Sequence, residues 1–137
     1  MPVLDASMAL SWLFERETAS ERRRSVAVLD SLEDLKPVVP ALWQAEILNG
    51  LLVGERRGLI AVAQSMEYLA RLGELPVETD DVSPVTRREL VLELGRRHRL
   101  SAYDASYLEL AMRVGGPLAT FDRDLAKAAT AAGIEVR

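Results

Sequence analysis

The chain has no cysteine, a single histidine, two lysines and few aromatic side chains (5%). Without cysteine there are no disulfides, thiolate zinc sites or cysteine nucleophiles. The one histidine, His98, lies in the arginine-rich run Arg96-Arg97-His98-Arg99, so a serine–histidine triad or a histidine-based metal site is not expected, and His98 is expected at the surface. No P-loop and no G-x-G-x-x-G follows any apolar segment, which removes nucleotide-fuelled chemistry. No apolar run approaches the ~20 residues that a membrane span needs. No basic-then-apolar leader opens the chain. These absences predict a soluble, cytoplasmic protein with no membrane partner.

What remains is ordinary globular material. The 137 residues, 49% hydrophobic and 28% charged, are enough for one domain with a real core over 1–137. A net charge of −4 is not the basic footprint of a typical nucleic-acid binder. The arginines are nonetheless clustered: Arg22-Arg23-Arg24, Arg56-Arg57, Arg87-Arg88 and Arg96 to Arg99. Guanidinium clusters suit bidentate phosphate contact, and solvated helix faces produce the same pattern.

Short strand patterns alternate with longer helical ones. Strands are predicted at Pro2 to Asp5, Lys36 to Val39, Leu75 to Glu78, Leu118 to Phe121 and Ile134 to Val136. Helices are predicted at Ser7 to Phe14, Thr18 to Leu32 with Val26 and Leu29 inward, Ala41 to Arg57, and Ile60 to Leu72. Three more follow: Ser83 to Arg97, with Ser83 as its cap and Pro84 in its first turn, Ser101 to Val114, and Asp122 to Ala132. Such alternation implies right-handed βαβ crossovers. The predicted fold is α/β, a three-layer α/β/α sandwich around a mainly parallel sheet of about five strands.

Four acids stand at positions where this fold places ligands. Asp5 ends the first strand, and ligands of open α/β sheets bind beyond the carboxyl ends of strands. A helix N-cap would explain Asp5 equally, although Ser7 could supply that cap. Glu46 shares a helical stripe with Leu42, Ala45, Asn49 and Val53, predicted to face the core side, where a charge is costly unless paired or metal-bound; a glutamate at the edge of the apolar face, reaching water along its own stem, gives the same pattern. Asp104 follows Ser101 by three residues, as in a capping box, and lies in line with Tyr107, Leu108 and Ala111. Asp122 follows the fourth strand as an ordinary N-cap would, and Asp124 falls in the next helical turn, where acids suit the helix dipole. Several unpaired carboxylates in one place repel by about 1 to 4 kcal/mol per pair, so a fold keeps them together only around something positive. Oxygen-only ligands favour Mg²⁺ or Mn²⁺, and such ions activate water for attack on phosphorus. A haloacid-dehalogenase-type phosphatase would need a second aspartate where Ser7 stands.

Val3-Leu4-Asp5-Ala6-Ser7, Glu46 within Trp43 to Leu48, Tyr103-Asp104-Ala105, and Thr120 to Leu125 together resemble the PIN domain, and the whole chain is most similar to VapC toxins of bacterial toxin–antitoxin pairs. The resemblance implies a metal-dependent endoribonuclease in which Asp5, Glu46, Asp104 and Asp122 form an acidic quartet. Asp5 and Asp104 would be the principal Mg²⁺ or Mn²⁺ ligands, Glu46 would bind metal or orient the attacking water, and Asp122 would bind a second metal or act through water. Ser7 and Thr120 match positions whose hydroxyls hydrogen-bond the carboxylates, and Asp124 could add to or replace Asp122. The implied partners are an RNA substrate, a cognate VapB-like antitoxin and a second copy of the chain. Trp12, Phe14, Trp43, Leu48, Leu51 and Leu52 are the apolar candidates for antitoxin contact, and Arg96, Arg97 and Arg99 for RNA phosphates. A PIN nuclease of RNA processing without an antitoxin, or a catalytically idle binding module, are the alternatives.

Overall fold

Val3 and Leu4 are apolar neighbours whose side chains point to opposite faces of a strand, and both are fully buried. A sheet whose central strand is buried on both sides must carry helices on both faces. A computed structural model describing residues 1–137 shows this arrangement. The order is β1 (Val3–Leu4), α1 (Ala6–Leu10), α2 (Ala19–Leu35), β2 (Val38–Val39), α3 (Leu42–Arg56), α4 (Val62–Leu72), β3 (Glu78–Thr79), α5 (Pro84–His98), α6 (Ala102–Val114), β4 (Leu118–Ala119) and α7 (Arg123–Ala131).

The strands pair in the order β3-β2-β1-β4, all parallel. Val3 lies opposite Val38 on one side and Leu118 on the other, and Leu4 lies opposite Ala119. From β1 the chain builds outward through β2 and β3, then returns to the other side of β1 with β4. The order therefore reverses between β1 and β4, the place where open α/β sheets bind ligands. Asp5 and Thr120 are the first residues beyond the two strand ends that meet there, and the Asp5 amide donates to the Ala119 carbonyl at 3.0 Å.

The predicted fifth strand is shorter than expected. Val136 forms a single parallel bridge with Leu118, so the sheet has four strands and one bridge. Gly116 allows the close approach at this end: a Cβ there would sit 1.8 Å from the Met1 carbonyl oxygen.

Several helix faces differ from the sequence reading. Helix α2 runs to Leu35 because Lys36 takes the left-handed conformation (φ 42°) and closes it, which also removes Lys36 from the predicted strand. Its buried residues are Ser25, Val28 and Leu32; Val26 is 56% exposed. Ser25 is accommodated because Ser11 Oγ lies 2.6 Å from its hydroxyl and Trp12 Nε1 donates to its carbonyl at 3.0 Å. Helix α3 buries Trp43, Ile47 and Leu51, leaving Leu48 and Leu52 about half exposed. Leucines lie on several of its faces, so periodicity alone does not choose one. Burial favours the largest apolar area, and Trp43 and Ile47 turn inward. Ser83 stands at the N-cap position of α5 without a side-chain capping bond; its carbonyl instead accepts from the Thr86 amide and hydroxyl. No helix is long and apolar enough to cross a membrane.

Candidate active site

The end of β1 delivers Asp5 to the sheet reversal, where it is 4% exposed. It occupies the N-cap position of α1, yet its side chain makes no capping bond. Instead, Ser7 Oγ donates to Asp5 Oδ2 at 2.6 Å and Thr120 Oγ1 donates to the same oxygen at 2.7 Å. Each hydroxyl has only one proton, so the 3.3 Å contact between Ser7 and Thr120 carries none. Both hydroxyls accept in turn: Ser7 from the Phe121 amide at 3.0 Å, Thr120 from the Asp122 amide at 2.9 Å. The β4–α7 junction is thereby tied to Asp5, and Oδ1 is left without a hydroxyl partner. Burial raises the Asp5 carboxyl above its ordinary value, the Ser7 and Thr120 hydroxyls oppose this, and nearby Asp122 adds to it.

Helix α3 presents Glu46, half-buried, with Leu42, Ala45 and Asn49 beside it. This stripe faces a pocket instead of the core that sequence periodicity suggested. The Tyr107 hydroxyl donates to Glu46 Oε1 at 2.6 Å. Burial raises the Glu46 carboxyl, Tyr107 opposes that rise, and Asp5 adds to it. Tyr107 is itself fully buried, and its hydroxyl is pushed well above the usual phenol range by burial first and the nearby Asp5 and Glu46 next.

Helix α6 presents Asp104. Ser101 does cap this helix, accepting from the Asp104 amide at 3.1 Å, but the Asp104 carboxylate makes no return bond to the Ser101 amide. Its carboxyl is pushed up to about 6, by burial and then by Asp122, Asp5 and Glu46. Asp122 combines two duties: Oδ1 accepts from the Leu125 amide at 2.8 Å as the cap of α7, while the residue also lines the pocket.

These acids meet in one cavity of about 640 Å³, lined by Asp5, Glu46, Asp104 and Asp122 together with Ser7 and Asn49, and no Lys, Arg or His lines it. A second cavity, about 520 Å³ beneath the start of α5, also contains acids. Two of them are paired there: Arg113 binds Asp80 through both nitrogens of its fork (3.0 and 2.6 Å), and buried Glu109 accepts from Arg87 at 2.7 Å and Arg113 at 2.9 Å. Only the first cavity concentrates negative charge without a compensating cation. No three of its carboxylates are placed to grip one ion directly. The all-oxygen donor set is the kind that suits Mg²⁺ or Mn²⁺, and Mg²⁺ needs only one or two protein carboxylates.

Other expected residues lie elsewhere. Asp124 lines a separate cavity with Arg97, His98, Arg99 and Lys127, and does not join the four acids. Arg97 pairs with Glu93 at 2.8 Å on the surface of α5, Arg96 is exposed, and His98 is half-buried instead of exposed. Two arginines, Arg16 and Arg24, contact the β4–α7 junction. Their guanidinium carbons lie 4.6 and 4.8 Å from the Phe121 ring centroid, and Arg24 Nη2 donates to the Thr120 carbonyl at 3.1 Å. The sequence offered Arg24 only as part of a charged run, and Tyr107 only as one more residue on an inward stripe. The clearest available signal for Tyr107 was a tyrosine one turn after an acid on a buried face.

The PIN domain family model matches residues 3–131. The chain is 30% identical over 127 residues to Ribonuclease VapC3 of Pyrobaculum aerophilum, covering 91% of this chain and 92% of that protein. It is 33% identical over 126 residues to Ribonuclease VapC3 of Mycobacterium tuberculosis, covering 92% and 85%. Among solved structures it resembles PAE2754 of Pyrobaculum aerophilum (TM-score 0.70, 21% identity, 93% and 83% coverage). It also resembles FitAcB of Neisseria gonorrhoeae (TM-score 0.66, 20% identity, 99% and 96% coverage). With its sheet reversal, its carboxylate pocket and these relatives, the chain belongs to the PIN-domain family and is akin to its VapC members.

Proposed function

We propose that this protein is a divalent-metal-dependent endoribonuclease, the toxin of a toxin–antitoxin pair, which hydrolyses RNA phosphodiester bonds in the carboxylate pocket. One observation carries the reading: four carboxylates from four different parts of the chain share a pocket that no basic side chain lines. The names of the VapC3 relatives support RNA as the substrate.

Asp5 and Asp104 would hold Mg²⁺ or Mn²⁺, with Glu46 orienting the attacking water and Asp122 acting through water or on a second ion. An ion held there would supply a water of lowered pKa and neutralise charge on the leaving oxygen. Ser7 and Thr120 fix Asp5 through Oδ2 and leave Oδ1 available. Glu46, held by the Tyr107 hydroxyl, would orient the attacking water and serve as its general base.

A VapB-like antitoxin and a second copy of the chain are the proposed partners. Of the apolar candidates, Leu48 and Leu52 are exposed on α3, Trp12 and Phe14 are half-buried, and Trp43 and Leu51 belong to the core. Arg96, Arg97 and Arg99 would meet RNA phosphates away from the pocket; charge reversal at Arg96 and Arg99 should flatten the salt dependence of RNA binding. The function itself is tested by incubating purified protein with RNA. Cleavage that needs added Mg²⁺ or Mn²⁺ and stops with EDTA supports it, whereas cleavage indifferent to EDTA removes the metal from the account.

A further inference from the structure

The protein has three tyrosines, and two have an evident structural duty. Tyr68 is buried and donates to the Ala9 carbonyl at 2.7 Å; Tyr107 is buried and donates to Glu46. Tyr103 is 64% exposed, its hydroxyl has no hydrogen-bond partner in the protein, and it lines the carboxylate pocket next to Asp104. Leu10, Leu42 and Ala45 give the same pocket an apolar side, and the exposed Asn49 lines it one helical turn after Glu46.

With an ion held among the four acids, the phosphate would be met by charge, and a phosphate is the same in every nucleotide. Recognition of the base at this spot must come from contacts that do not depend on charge. Base stacking is such a contact, because every base has a π-face, and single-stranded RNA is recognised by splayed bases stacked on aromatic side chains. An amide adds edge recognition, since it both donates and accepts.

Resting on the ribonuclease reading, we propose that Tyr103 and Asn49 form a nucleobase subsite at the rim of the carboxylate pocket. The Tyr103 ring stacks on the base of a single-stranded nucleotide flanking the cleaved phosphodiester, and the Asn49 amide reads that base's edge. Tyr103 is then a positioning and specificity residue. Its removal weakens substrate binding more than it slows the chemical step.

The test uses short single-stranded oligoribonucleotides carrying 2-aminopurine, with Mg²⁺, in the Asp104→Asn background so that turnover does not intrude. The parent should quench the fluorophore on binding. Adding Tyr103→Ala should abolish the quench and weaken binding by about five- to a hundredfold, the range for loss of one stacked base. Tyr103→Phe and Tyr103→Trp should retain both. With Asp104 restored, Tyr103→Ala should raise KM with kcat within a few-fold. Adding Asn49→Leu to the Asp104→Asn parent should keep the quench and lose discrimination among the four homopolymers. Unchanged affinity and quench in Tyr103→Ala overturn the subsite while leaving the ribonuclease reading intact. No RNA binding by either the wild type or the parent overturns both. A parent that binds all homopolymers equally overturns the role of Asn49.

Discussion

Thr120 and Asp5 stand 115 positions apart in the chain and meet at 2.7 Å, hydroxyl to carboxylate. The bond joins the ends of β1 and β4 where the sheet reverses. Thr120 is 1% exposed, and its Oγ1 also accepts from the Asp122 amide. Thr120→Val keeps the shape, deletes one bond to a buried carboxylate and orphans one amide. The expected cost is about 1–3 kcal/mol in urea unfolding, with divalent-metal affinity falling about 10- to 100-fold. Wild-type stability together with wild-type metal affinity would show that Thr120 does not hold Asp5.

Tyr107→Phe tests the other support. The ring still fills the core, while Glu46 loses the hydrogen bond that opposes its rise in pKa. The acidic limb of the pH–rate profile should therefore move to higher pH, with little change at alkaline pH. A profile that stays in place would mean that Glu46 titration does not govern the acidic limb.

The fourth acid is separable from its neighbour. Asp122→Asn preserves the α7 cap, because Asn caps about as well as Asp, and removes a charge that acts on Asp5 and Asp104. It should fold like the wild type and lose at least tenfold in activity. Asp124→Asn, in a different cavity, should stay within about twofold. The reverse ranking would move the fourth role to Asp124.

Metal-free stability should respond to pH with two opposite slopes. Asp104, Asp5 and Glu46 have folded pKa values above their ordinary ones, so the folded state binds their protons more tightly. Their contribution grows as pH falls, for Asp104 from about 6 toward its ordinary 3.8. Asp80 is the opposite case: the Arg113 fork lowers its pKa, and its contribution, present above 3.8, is lost as pH falls through the depressed value. Melting temperature should therefore rise from pH 7 toward 5 and drop below about 4. Saturating Mn²⁺ should raise the melting temperature at pH 7 and flatten the upper slope, because it binds the native carboxylates and competes with their protons. A metal-free curve flat between pH 7 and 5 would contradict the crowding of acids.

Three of the four acids were legible because each stands at a recognisable boundary: Asp5 after a strand, Asp104 after a cap, Asp122 at a strand–helix junction; Glu46 was legible only as a charge on an apolar helical stripe. The parallel order of elements was legible for the same reason, since Gly115 and Pro40 stop helix and strand where expected. Helix rotation was not. Leu48 and Leu52 are as apolar as Ile47 and Leu51, and only packing against α1 and the turn after it, where Gly50 meets Leu10 and Gly54 meets Phe14, settles which pair turns inward. The fifth strand failed because one residue of pairing does not extend into a ladder. Long-range polar partners, such as Tyr107 for Glu46 or Arg113 for Asp80, leave no periodic trace. They join residues whose spacing in sequence is arbitrary.

The most direct test is cleavage of total cellular RNA by purified protein free of any partner, in Mg²⁺ or Mn²⁺, beside Asp5→Asn and Asp104→Asn. Discrete fragments are expected from the wild type alone, lost with EDTA and in both variants, each of which remains folded by circular dichroism. Wild-type cleavage by either folded variant would contradict it, because the carboxylates would then not be the site of the chemistry.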